Sequence, residues 1–226
     1  MENNQTKEPN MSALAGLKEL KQRSKIMIPL MVVFLTLVAA CGGGNSVLPD
    51  GGNPYLSAKA GDTIQFGGLD WIVLTAENGK ALILSEKILE ERPYHSPGGS
   101  VTWEECSLRE FLNGSFYDDT FSAQEKKRIL ETRLTNQSGN STDDRVFLLS
   151  VDEVNEYMGD NAHTNMKNAK TAELLTTGAP SWWWLRSSPG LNSHYAANVN
   201  SDGNVYANGN LVRNAIGVRP ALWLNL

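Results

Sequence analysis

Cysteine is nearly absent: among 226 residues only Cys41 and Cys106 carry a thiol. That excludes both a disulfide framework and a cysteine metal cluster, and if Cys41 is modified, Cys106 has no partner within its own chain. A reactive thiol needs a neighbouring cation or helix terminus to lower its pKa, so Cys106 is expected to be packed and inert. Histidine is also scarce, and His95, His163 and His194 stand in polar stretches without metal-ligand spacing such as a helical i, i+4 pair. No Gly-x-Ser-x-Gly elbow marks a hydrolase nucleophile. Basic charge is in deficit: five of the 20 basic and three of the 25 acidic residues lie at or before Cys41, leaving 15 against 22, a net charge of -7. Nothing basic enough to hold nucleic acid remains. A membrane-spanning apolar run is missing too, because the uncharged stretch Ile26 to Ala40 has only fifteen residues and contains Pro29, against the roughly 20 that hydrocarbon requires.

What is present begins with an address. Lys18, Lys21, Arg23 and Lys25 precede that apolar stretch, and Cys41 and Gly42-Gly43-Gly44 follow it, the order of a secretory signal. Leu37-Val38-Ala39-Ala40-Cys41 resembles the lipobox of bacterial lipoproteins. The resemblance implies cleavage before Cys41, acylation there, and a soluble domain held outside the cytoplasmic membrane by buried methylenes at ~0.8 kcal/mol each. The polar leader Met1 to Ser24 leaves Met1 and Met11 both open as the start. Residues 1–40 are thus expected to be the signal, 41–54 a lipidated cysteine and flexible Gly/Asn/Ser tether, and 55–226 one globular domain, since length leaves no room for two.

The domain reads as α+β. Strands are expected at Thr63 to Phe66, Trp71 to Leu74 and Ala81 to Leu84, with a Gly67-Gly68 break and an Asn78-Gly79 turn between them. Three capping-box spacings follow, Thr102 with Glu105, Ser122 with Glu125 and Ser150 with Glu153, each predicting a helix start. The first helix is expected to show Leu108, Phe111 and Leu112 on one face and to stop at Asn113-Gly114, while Phe147-Leu148-Leu149 reads as a short buried strand. Strands return from Trp182 onward: Trp183 to Arg186, Ala196 to Asn200, Asn204 to Asn208 and Gly217 to Leu224. Strands, helices and strands again predict that the beginning and end of the domain share a sheet. Three successive tryptophans, Trp182, Trp183 and Trp184, cannot all face inward if extended, so at least one is expected near the surface.

Trp71-Ile72-Val73-Leu74, Leu108-Arg109, Phe111-Leu112-Asn113, Arg145 to Ser150, Trp184-Leu185-Arg186-Ser187 and, most distinctively, Gly217-Val218-Arg219-Pro220-Ala221-Leu222 resemble a family catalogued as domain of unknown function 6273. The resemblance covers roughly Trp71 to the end. That family is similar to C-type-lectin-like proteins, especially the branch containing formylglycine-generating enzymes, which implies a compact fold whose two ends meet in a mixed sheet. The same branch serves as the hypervariable binding domain of diversity-generating retroelements, often on lipoproteins. An oxidase of that branch needs paired cysteines for copper, which Cys106 alone does not supply, and the Glu-Pro-Asn and Trp-Asn-Asp tripeptides of calcium-binding lectins are absent. No cofactor, metal or catalytic residue is therefore expected. Asp143, Asp144 and Asp202 read as loop and turn residues, and Trp71, Trp184, Arg186 and Arg219 as structural, with both guanidiniums paired to carboxylates or carbonyls.

Asparagine is over-represented near the end, at 192, 198, 200, 204, 208, 210 and 214, where a sheet favours β-branched residues. A three-residue loop Ser201-Asp202-Gly203, with Gly203 left-handed, pairs Val199 with Val205 and Ala197 with Ala207 on one face. The other face then presents Asn198, Asn200, Asn204, Tyr206 and Asn208. With Asn192, His194, Tyr195, Asn210, Arg213 and Asn214 nearby, this is a paratope-like mixture of adaptable amides and rigid aromatics. It is expected to bind a protein or glycan ligand at the cell surface, and retroelement diversification, which substitutes adenines, adds a genetic reason for asparagine. The rival expectations are an envelope lipoprotein with a fixed contact surface and a hydrolase whose triad is assembled from distant residues.

Overall fold

The computed structural model describes residues 53–226 apart from Asn161 and His163, and Asn53–Leu226 forms one compact unit. The expected signal, Cys41, most of the expected tether and His163 lie outside the described residues.

Two five-stranded sheets organise the domain. The first runs β1 (Thr63–Phe66), β2 (Leu69–Glu77), β3 (Lys80–Ser85), β14 (Ala221–Asn225), β5 (Ile129–Leu130), all antiparallel. Its opening hairpins are where the alternation placed them, and Asn78 (φ 51°) and Gly79 (φ 74°) make the left-handed turn expected of Asn-Gly. The second sheet runs β12 (Val205–Leu211), β11 (Tyr195–Val199), β10 (Trp183–Trp184), β13 (Ala215–Val218), β4 (Glu90–Pro93), with β10 and β13 parallel. Two short pairs, β6 (Thr132–Leu134) with β7 (Thr142–Asp144) and β8 (Ala172–Glu173) with β9 (Pro180–Ser181), complete the strands. The domain is α+β, and its chain ends share a sheet through β14.

The expected last strand, Gly217 to Leu224, is instead two strands in different sheets. Arg219-Pro220 is the crossing between them. Proline withholds an N–H from any ladder there, and Arg219, fully buried, donates from Nε to Ser85 O (2.8 Å), from Nη1 to Ala169 O (2.5 Å) and from Nη2 to Glu86 O (3.2 Å). Its guanidinium also lies 4.9 Å from the Trp183 ring. Burial pushes its pKa down to about 9, and carbonyl dipoles with the aromatic face compensate the cation at neutral pH.

Of the three capping boxes, two form. Ser122 starts α3 (Ala123–Lys126) and Ser150 starts α4 (Val151–Met158), each hydroxyl accepting from the amide three residues on while the glutamate reaches back. Thr102 makes no side-chain cap, because Trp103–Glu105 is one 3-10 turn that ends at Cys106, leaving no α-helical first turn to cap. Cys106 is the cap: its Sγ accepts from Arg109 N (3.4 Å) at the start of α1 (Ser107–Phe111).

The helix does not stop at Asn113-Gly114. It passes through a π turn, Leu112–Phe116, into α2 (Tyr117–Thr120), kinking at Gly114. Tertiary bonds override the stop signal: Asn113 Nδ2 donates to Val146 O (2.8 Å) and Asn113 Oδ1 accepts from Arg145 N (2.8 Å). Asp144 is likewise no loop residue. It is buried and accepts from Trp103 Nε1 (2.9 Å), Thr142 Oγ1 (2.8 Å) and Arg109 Nε (2.6 Å). Phe147 makes a single bridge to Ala221, not a strand.

Four tryptophans are buried in the core, and each indole N–H has an acceptor: Trp71 to Phe66 O (2.8 Å), Trp103 to Asp144, Trp183 to Lys170 O (2.9 Å) and Trp184 to Arg92 O (2.9 Å). A buried indole contributes its large apolar area fully only when that one donor is satisfied. Trp182 is the exposed member of its triplet.

Candidate ligand-binding site

The carboxy-terminal hairpin turns where its sequence asks it to. Gly203 has φ 85°, its N–H donates to Asn200 O (2.9 Å), and Val199 pairs with Val205. Asp202 accepts from Asn204 N (3.0 Å) and Nδ2 (2.8 Å), bonds that hold its carboxyl below the usual range. Beyond Asn198, opposite Tyr206, the register slips, and Ala196 pairs with Asn210.

The expected pairing of Ala197 with Ala207 is lost in this bulge. Gly209 makes it possible: its φ is 70°, and a Cβ there would sit 2.0 Å from Ala196 O. The slip carries the Asn210 amide over to Asn198. Asn210 Nδ2 donates to Asn198 Oδ1 (2.9 Å), and Asn198 Nδ2 donates to Asn200 Oδ1 (2.9 Å). Asn198 is fully buried. This corrects the outward placement of Asn198: it is the centre of an internal amide ladder, with half-buried Asn200 and Asn210 as its ends.

The residues singled out in the sequence therefore do not share one face. Tyr206 and Asn208 are exposed on the outer strand β12, Asn204 is exposed in the turn before it, and Asn192 and Asn214 are exposed in the flanking loops. His194, Tyr195 and Arg213 form a separate group. Tyr195 pairs with Leu211 and lies three residues from Asn198, so strand alternation directs it away from the Asn198–Tyr206 side.

That group walls an open cavity of about 250 Å³ together with Gly98, Gly99, Leu211 and Val212. Three backbone bonds build it: His95 N to Val212 O (2.9 Å) and Val101 N to Ser193 O (3.2 Å) join the 95–101 loop to the hairpin base, and Val212 N to His194 O (2.9 Å) closes that base. Leu211 and the buried Val212 supply apolar lining, and Tyr195 is 45% exposed beside them. The sequence reading missed Gly98 and Gly99, although Pro97-Gly98-Gly99 is a strong loop signal. Only the tertiary bonds bring that loop to His194.

A second cleft of about 470 Å³ involves Arg219, Glu86, Lys87, Glu173, Thr171 and Gly61. Lys87 pairs there with Glu173 (2.6 Å), and Arg219 is bound to carbonyls as described. Arg186 is tied to Leu148 O (2.9 Å) and, through both terminal nitrogens, to Glu153. Trp71 and Trp184 are buried in the core.

Burial pushes the Cys106 thiol up to about 12, so it stays protonated at neutral pH. His95 Nδ1 accepts from Ser107 N (3.3 Å). Among the described residues no cluster of three or more His, Cys, Asp or Glu side chains is placed to hold a metal, and no helix is long and apolar enough to cross a membrane.

No curated protein and no solved structure matches the chain. One family does: the model of domain of unknown function 6273 matches residues 78–226, and the chain belongs to that family.

Proposed function

We propose that this chain is a lipid-anchored binding protein, attached through Cys41 to the outer side of a membrane, whose domain takes an extracellular protein or glycan ligand without a cofactor. The observation that carries the reading is the cavity at the hairpin base. It is preformed, it combines an exposed tyrosine, a histidine and an arginine over an apolar lining, and backbone bonds from two chain segments hold it in place. Preformed concave sites with a few convergent polar groups are where small ligand features dock at least entropic cost. Tyr206 and Asn208 on β12, with Asn204 in the turn before it, offer a second exposed polar surface apart from the cavity. The C-type-lectin-like relationship belongs to this proposal, supported by two sheets in which the closing strand β14 lies beside β3.

Tyr195→Ala should abolish capture of the ligand by the full chain while leaving its melting temperature within about 2 °C of the parent, as expected of an exposed side chain. Retained capture would sink the proposal. The anchor has its own test: Cys41→Ser should end incorporation of labelled fatty acid and release the chain from membranes.

The amide ladder favours a second reading, an envelope lipoprotein with a fixed surface, since Asn198, Asn200 and Asn210 serve one another. Sequencing the gene's last third across one population separates the two. Retroelement diversification predicts adenine-directed variation at Asn204, Tyr206 and Asn208 and not at Asn198, whereas an invariant tract supports the fixed surface.

A further inference from the structure

Arginine is almost always committed in this domain. Arg92, Arg109, Arg133, Arg145 and Arg186 are each paired with a carboxylate, while Arg128 and Arg219 are bound to backbone carbonyls. Arg213 is the exception among the described residues: it is exposed, and its guanidinium has neither a hydrogen bond nor an ion pair. It also stands at the cavity described above, its Cβ 3.9 Å from where a Cβ on Gly98 would be. No acidic residue lines that cavity, although acidic residues outnumber basic ones in the chain by 25 to 20.

We infer that the cavity at Arg213 is a subsite for a single acidic sugar unit, its carboxylate held by Arg213 and its ring lying against Tyr195. This rests on the binding-site reading above and specifies its ligand. A guanidinium fork matches a carboxylate with two parallel N–H···O bonds, which a neutral group does not reproduce. The volume admits a compact ligand: about 250 Å³ falls below the ~300–1,000 Å³ typical of drug-sized ligands. Tyr195 and Leu211 offer apolar surface to the C–H face of a sugar ring. Ring hydroxyls have hydrogen-bonding partners in His194 and in the backbone of Gly99, where nothing lies within 4 Å of an added Cβ. A phosphate would use the same cation but gain nothing from the tyrosine ring.

The test titrates the full chain in detergent with glucuronic acid and with glucose, which differ only at C6, where a carboxylate replaces the hydroxymethyl group, following protein amide NMR shifts. Glucuronic acid should bind at least about tenfold more tightly than glucose, the scale of one charge-assisted pair, with shifts at Gly98, Gly99 and Tyr195. Arg213→Ala should erase that preference without changing the melting temperature, and Arg213→Lys should restore part of it. Equal binding of the two sugars, or an unchanged preference in Arg213→Ala, would overturn the inference. So would a preference for an acidic peptide or inorganic phosphate over glucuronic acid at the same residues. Glycan-array capture that depends on Tyr195 but favours neutral sugars would leave the binding function standing and remove only the acidic-sugar assignment.

Discussion

Replacing Asn198 by alanine tests the point on which sequence pattern and tertiary structure part company. A ligand-contacting asparagine on an exposed face would be lost from binding and hardly missed by the fold. The buried Asn198 should behave the opposite way. Its amide makes two bonds of 2.9 Å, one donated to Asn200 Oδ1 and one accepted from Asn210 Nδ2. Each is worth about 1 kcal/mol net, and a partner left unsatisfied in the interior adds up to about 1–3 kcal/mol. Asn200 and Asn210 are half-buried, so water recovers part of that loss, and a destabilisation of ~2 kcal/mol is expected. For a domain of this size that lowers the melting temperature by roughly 4–8 °C. Urea unfolding of the full chain measures it, and a double-mutant cycle with Asn200→Ala should give a coupling of about 1 kcal/mol. Asn198→Asp sharpens the test. Its ionised carboxylate still accepts from Asn210 but meets the Asn200 oxygen with no proton to offer, so its folded pKa rises above the unfolded one. The variant should be least stable at neutral pH and recover as pH falls through the folded pKa. Native stability in Asn198→Ala, or lost ligand binding at unchanged stability, would refute the ladder.

Further outcomes follow from the core. Arg186→Met should cost about 3–5 kcal/mol in urea unfolding, because it strands the Glu153 carboxylate that both caps α4 and pairs with the guanidinium. Cys106 should resist iodoacetamide at pH 8 in the native chain and react once urea unfolds it, since its thiol is buried and raised to about 12. Burial raises the Glu90 carboxyl above its ordinary value despite Arg92 beside it. The folded state therefore holds that proton more tightly than the unfolded chain, and Glu90 contributes stability that grows as pH falls through its folded pKa. Glu90→Gln should remove that segment of the stability-pH curve, and an unchanged curve would show that Glu90 does not titrate differently on folding.

The legible parts of this protein were those governed by near neighbours in the chain. Alternation and Gly/Asn turns located β1 to β3, hydroxyl and carboxylate spacing located the starts of α3 and α4, and Gly203 set the hairpin loop, because each depends on residues only a few positions apart. The α+β class followed from their order. Tertiary partners decided the rest. Asn113-Gly114 carries a stop signal that bonds to Arg145 and Val146 overrule. Arg219-Pro220 divides an apparently continuous apolar strand between two sheets. The two-residue slip at Gly209 keeps side chains on their faces but draws Asn210 alongside Asn198, and packing over Asn198 makes an internal ladder of residues whose local pattern reads as display. The cavity is likewise a product of packing: Gly98 and Arg213 are over a hundred positions apart in sequence, and only the backbone bonds between their segments bring them together. By itself the sequence determined which local elements form and which residue types are available for binding. The tertiary structure decided which of those residues reach solvent, because burial and register depend on distant segments that no local pattern encodes.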